Sequence, residues 1–159
     1  MAREIERKFL VKRELWQPTS RSGEYCRQGY LSTDPERVVR VRVLGDRAFL
    51  TVKGMQQGIA RTEFEYAIPR PDAETMLSKL CVQPVIEKIR FHETFDGHIW
   101  DVDDFLGANR GLVVAEIELP SLDAVVTLPP WVGEDVSDDP RYLNVNLARV
   151  PFTQWAHGP

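Results

Sequence analysis

Glu4, Glu6 and Lys8 stand two residues apart near the start of the chain, with Ile5 between the two acids. Alternate residues of a β-strand share a face. This spacing therefore gathers two carboxylates and an ammonium on one side. The period recurs along the chain. Arg40 and Arg42 lie opposite Val39, Val41 and Val43, and Thr51 and Lys53 lie opposite Leu50 and Val52. Arg61, Glu63 and Glu65 oppose Phe64 and Tyr66, and Lys88 and Arg90 oppose Ile89 and Phe91. Asp101 and Asp103 oppose Trp100 and Val102, and Glu116 and Glu118 oppose Ile117 and Leu119. A solvated strand face is commonly charged, and any single segment reads that way first. Repetition in every such segment, with acids grouped and bases grouped, points instead to one shared charged interior.

Clustered carboxylates repel one another unless a hard cation sits between them, and an all-oxygen donor set suits Mg²⁺ or Mn²⁺. Clustered Arg and Lys call for a polyanion, because the guanidinium fork matches phosphate oxygens and the ammonium adds a point charge. A divalent cation and a polyanion in one cavity describe a phosphate chain bridged to metal, the arrangement that phosphoryl transfer needs. Buried unpaired charge is costly, so such an interior must hold water, ions or a charged ligand.

These side chains need strands to carry them. Alternation predicts strands over 4–11, 25–33, 38–44, 48–53, 61–68, 85–94, 98–105 and 112–119. Gly45-Asp46 and Asp96-Gly97 are hairpin signals. Pro71 to Leu80 changes to a helical period, with Asp72 as a candidate cap and a Met76, Leu77, Leu80 stripe. Beyond Pro120 the pattern weakens: Pro129-Pro130-Trp131 reads as extended, and Asp139-Pro140 opens a helix through Arg149. Eight antiparallel strands in hairpin order favour closure, which removes exposed edges. The expected fold is mainly β (α+β): a closed eight-stranded antiparallel barrel with a charged interior and a few flanking helices. It forms one domain over 1–159, with the barrel over 2–119 and a C-terminal segment and helix over 120–157.

The formal net charge of −4 argues against a general nucleic-acid binder. Cys26 and Cys81 lack metal-ligand spacing and read as reduced thiols. No apolar run approaches the roughly 20 residues that span a bilayer, and Met1-Ala2-Arg3-Glu4 opens no signal peptide. A cytoplasmic protein with no nucleic-acid or membrane partner is expected; a homodimer is left open.

Glu4-Ile5-Glu6-Arg7-Lys8 resembles the Glu-x-Glu-x-Lys signature of the CYTH domains, or triphosphate tunnel metalloenzymes. The order of Arg40/Arg42, Lys53, Glu63/Glu65, Lys88/Arg90, Asp101/Asp103 and Glu116/Glu118, and the tail from Pro130-Trp131 to Arg141-Tyr142-Leu143-Asn144, resemble the short bacterial branch of that family. The resemblance covers essentially the whole chain. It implies a tunnel in which water attacks a triphosphate, with Glu4, Glu6, Glu116 and Glu118 holding metal. Glu63, Glu65 and Asp103 would support that ion or hold a second one. Lys8, Arg40, Arg42, Lys53, Lys88 and Arg90 would clamp phosphate, with Arg61 either joining them or pairing with Glu63. Lys8, Tyr30 and Lys88 are the candidates for direct catalytic contact. Tyr30 is in phase with Gln28 and reads as a proton acceptor, a phosphate contact or a core tyrosine; a phenol of pKa about 10 is a poor base.

Inorganic tripolyphosphate is the leading substrate. Nucleoside triphosphate, thiamine triphosphate and cyclic-AMP formation are alternatives, though the cyclase-type His-Phe upstream of the first acid is absent. A non-catalytic phosphate-binding module is the alternative outside enzymes; the acid clusters argue for metal and turnover. His92, His98 and His157 read as surface residues. Arg141 and Asn144 are candidates to close one tunnel end.

Overall fold

The computed structural model describes residues 3–18 and 23–155. Valines and aromatics alternate with polar residues through most of this length, and that pattern becomes sheet. The strands are β1 (Arg3–Val11), β2 (Glu24–Ser32), β3 (Val38–Leu44), β4 (Arg47–Lys53), β5 (Ala60–Ala67), β6 (Ile86–Phe95), β7 (His98–Phe105), β8 (Val113–Glu118) and β9 (Val132–Asp135). Two α-helices, α1 (Arg70–Lys79) and α2 (Asn144–Arg149), lie among them. Both hairpin signals act as expected. Asp96 and Gly97 both adopt positive φ, 49° and 77°, as a type I′ turn requires.

The strand order is β5-β4-β3-β2-β6-β7-β8-β1-β9, and β5 also pairs with β1. That last pairing, Arg3↔Thr62 to Ile5↔Ala60, closes eight strands into an antiparallel barrel. The ninth strand was not anticipated. It continues along the β1 edge where β5 stops, pairing Val132 with Val11. Gly133 makes this approach feasible: a Cβ there would lie 3.1 Å from the Leu10 carbonyl oxygen.

The apolar faces point outward, and two are covered. Helix α1 packs Ala73 and Leu77 on Val41, Val43 and Ala48. The segment after β8 lays Ala124, Val126 and Trp131 against a cluster containing Phe9, Trp100 and Ile117. The inward faces are not charged throughout. At one end they carry Val38, Ile86, Phe105 and Val114, which pack with Tyr142, Val145 and Leu147. The terminal segment thus plugs that end with apolar side chains.

Two local expectations change. Asp72 does not cap α1; Pro69 occupies the cap position and makes no side-chain cap bond. The terminal helix is not continuous from Pro140. A 3₁₀ turn over Pro140–Tyr142, capped by the Asp139 carboxylate on the Arg141 N–H, ends at extended Leu143 before α2 begins. His157 lies outside the described residues.

Candidate active site in the barrel

The first strand sets the site. β1 turns Ile5 and Phe9 into the outer core, so its alternate residues Glu4, Glu6 and Lys8 face the cavity. From the facing strands come Tyr30 of β2, Arg40 and Arg42 of β3, Lys53 of β4, Arg61 of β5 and Glu116 of β8. Acids and bases distant in sequence therefore meet around one cavity. Its wall is completed by Gln56, Ser137, Asp139 and the stretch Tyr142–Val145.

Most of these side chains have a defined partner. Lys8 Nζ donates to the Tyr142 carbonyl at 2.9 Å and lies 3.5 Å from Glu116. Lys53 Nζ bridges Glu4 at 3.3 Å and Glu63 at 3.2 Å. Arg40 donates to Thr51 and reaches Glu65 at 3.2 Å, while Arg42 Nε donates to Gln28 Oε1 at 3.2 Å. Arg61 does not pair with Glu63; it donates to the Gly54 carbonyl and so fixes the β4–β5 connection.

Lys88 and Arg90, expected in the phosphate clamp, are engaged elsewhere. Lys88 is fully buried, 2.8 Å from Asp103, and donates to Asn144 Oδ1 at 3.2 Å. Arg90 grips the same carboxylate through Nε at 2.8 Å and Nη2 at 2.9 Å. Neither residue lines the cavity, and nor do Asp103, Glu63, Glu65 or Glu118. Glu65 and Glu118 are exposed, as is His92, which bonds Asp101 at 2.7 Å. Arg141 is exposed and paired with Asp139.

Electrostatics divide the acids into two kinds. Burial works against the Asp103 charge, but Arg90 and Lys88 outweigh it and hold that carboxyl well below the usual range. Lys8 and Arg90 do the same for Glu116 against its burial. Glu6 behaves oppositely: burial, then the charges of Glu116 and Glu4, push its pKa well above the ordinary value. Glu63 is raised by burial and by a hydrogen bond shared with Glu4.

Among the described residues, no three His, Cys, Asp or Glu side chains converge as a ready-made metal cage. Lysines stand between the carboxylates instead. The donor chemistry nonetheless fits a hard cation. Glu4, Glu6 and Glu116 supply only oxygen and line one cavity, and burial together with the charges of Glu116 and Glu4 raises the Glu6 pKa well above the ordinary value.

Sequence reasoning missed Gln28 as a partner of Arg42, although its phase with Tyr30 was visible. The Tyr142 carbonyl, Ser137 and Gln56 carry no sequence signal of their own. Ser137 accepts the Lys8 N–H at 2.9 Å and so fixes the β1 backbone beside the cavity.

Known proteins place this arrangement. An inorganic triphosphatase of Acetivibrio thermocellus is 49% identical over 152 residues, covering 96% of this chain and 97% of that protein. An inorganic triphosphatase of Nitrosomonas europaea is 37% identical, covering 91% and 96%. A solved inorganic triphosphatase superposes with a TM-score of 0.65 at 36% identity, covering 91% of this chain and 93% of its own. A putative adenylyl cyclase from Hippeastrum, at 12% identity and a TM-score of 0.53, shares the fold alone. The CYTH domain profile matches residues 2–149, and with an eight-stranded barrel closed around the Glu4-x-Glu6-x-Lys8 strand this chain belongs to the CYTH domain family.

Proposed function

We propose that the chain hydrolyses inorganic tripolyphosphate in the barrel cavity with a divalent metal, Mg²⁺ or Mn²⁺. CYTH triphosphatases as a class depend on a metal ion. The observation that carries the reading is the division of one cavity wall between oxygen acids, Glu4, Glu6 and Glu116, and bases, Lys8, Arg40, Arg42 and Lys53. Among the described residues, Tyr30 and Tyr142 are the aromatic side chains on that wall, and both are packed into the plug core. This favours the inorganic substrate.

Glu4, Glu6 and Glu116 would hold the metal, which when bound supplies charge neutralisation to the phosphate oxygens. Lys8, Arg40, Arg42 and Lys53 bind the phosphate chain and offset the negative charge that builds on the leaving group. Water forms a bond to the terminal phosphorus as the bridging P–O bond breaks. Phosphate and pyrophosphate leave, and one proton passes to solvent. Lys88 and Arg90 serve this reaction by holding Asp103, which keeps the inner wall in place. Two buried, free cysteines support a cytoplasmic location. Among the described residues no helix is long and apolar enough to cross a membrane.

Phosphate release from tripolyphosphate, ATP and thiamine triphosphate, with Mg²⁺ or Mn²⁺ and with chelator, tests this. Tripolyphosphate is expected to turn over fastest and chelator to stop it. Glu4→Ala and Glu6→Ala are expected to abolish release while the fold survives. No release from any substrate, or conversion of ATP to cyclic AMP, would overturn the reading.

A further inference from the structure

Gln28 is completely buried inside the barrel, between two residues of the candidate site. Its Oε1 accepts the Arg42 Nε–H at 3.2 Å and, more weakly, the Cys26 thiol at 3.7 Å. Its Nε2 donates to the Tyr30 hydroxyl oxygen at 3.1 Å. The direction of this chain of bonds cannot reverse. A guanidinium has no acceptor, so the amide oxygen must face Arg42. The amide nitrogen therefore faces Tyr30, and the phenolic oxygen is obliged to accept.

We propose that Gln28 is a positioning residue that fixes the Tyr30 hydroxyl as a hydrogen-bond donor to the bound phosphate chain. The inference rests on the tripolyphosphate reading above. Among the described residues the Tyr30 O–H has no acceptor of its own, although Tyr30 lines the cavity and is only 3% exposed. A second donor stands beside it. Arg40 pairs directly with Tyr30 across β2 and β3, and its buried Nε–H has no partner. Two spare donors next to Lys8 and Arg42 form a subsite for phosphate oxygen, an acceptor-only ligand. Tyr30 is thereby a binding donor rather than a base. Burial keeps its proton in place by raising its pKa, despite Arg40 and Arg42.

The test is steady-state hydrolysis of inorganic tripolyphosphate with Mg²⁺ by the full chain. Tyr30→Phe removes only the hydroxyl. It is expected to raise KM by about tenfold or more, as for a lost hydrogen bond to a charged group, while kcat stays within about twofold because the interaction is uniform through the reaction. Gln28→Glu keeps size and the Arg42 contact, but its carboxylate would also accept from Tyr30 and turn the hydroxyl away from the cavity. Tyr30→Phe made on Gln28→Glu should then change KM by less than about twofold. If Gln28→Glu fails to fold, Gln28→Met takes its place, and the Tyr30→Phe factor should fall below its value in the parent. An unchanged KM in Tyr30→Phe overturns the proposal. So does a loss confined to kcat together with loss of the rise of kcat with pH, which would mark a base, or an equal Tyr30→Phe factor in both backgrounds. Should the unaltered chain fail to hydrolyse tripolyphosphate, the functional reading falls and this inference with it. Turnover by the unaltered chain with a flat Tyr30→Phe removes the inference alone.

Discussion

A carboxyl group buried among other carboxylates binds its proton more tightly than one in water, and Glu6 is in that position. Because its pKa is raised in the folded chain, the folded state binds the proton more tightly than the unfolded one. Metal-free stability therefore falls as pH rises from the ordinary carboxylate range through the raised value, and the full penalty remains above it. Glu6→Gln keeps the shape and removes the repulsion. At about pH 9 the metal-free variant should melt roughly 2–4 °C above its parent for each ~1 kcal/mol of repulsion relieved, and should lose the rise in Tm that Mg²⁺ gives the parent. Thermal scans with Mg²⁺ and with chelator check both, and an equal or lower metal-free Tm contradicts the argument. The charge on this face was legible in the sequence because strand period is a local property. The partners were not. Lys88 reads as a free clamp until Asp103 of β7 and Asn144 of α2 are placed against it, and neither is near it in the chain.

Elements with strong local signals were legible to within a residue or two. The β3–β4 and β6–β7 hairpins carry alternating apolar runs and turn residues of the right kind. β9 carries neither: Val-Gly-Glu-Asp has no apolar alternation, and only pairing with β1 makes it a strand. The break at Leu143 is equally non-local, since it presents the Tyr142 carbonyl to Lys8. Gly133→Ala places a methyl 3.1 Å from a backbone oxygen that cannot swing aside, and overpacking of this kind costs about 1–3 kcal/mol. Gly54→Ala is the control. Its nearest neighbour is a Thr62 side-chain atom at 3.5 Å, an ordinary contact, so its effect should stay within about 0.5 kcal/mol. Denaturant midpoints of the two variants decide the matter; equal midpoints would mean that β9 contributes little to the barrel.

At the scale of the whole molecule, closure was legible because eight hairpin-ordered strands leave no better solution for their edges. The apolar plug was not legible, because Val38, Ile86, Phe105 and Val114 share inward faces with the charges and differ only in height along the barrel. The result is a fold whose apolar core lies outside and at one end of the barrel, while the middle holds acids and bases around one cavity. Arg42 shows the strain of this arrangement: burial first, then Arg40 and Arg90, lower its pKa. A ligand that meets those charges binds the folded state alone, so it must stabilise by an amount set by mass action, about 2.7 kcal/mol at one hundred times its Kd. For a chain of this length that corresponds to roughly 5–11 °C in Tm. Tripolyphosphate with Ca²⁺ in place of Mg²⁺ is expected to raise Tm in a concentration-dependent way. Equimolar sulfate should do far less, since a single anion cannot reach the bases of β1, β3 and β4 together. Because Lys8 and Arg40 are buried and Arg42 half-buried, the shift should survive moderate salt, where a surface-bound polyanion would be released. A shift that vanishes at about 0.3 M salt, or is matched by sulfate, would place the polyanion on the outside of the barrel and leave the charged interior without a ligand.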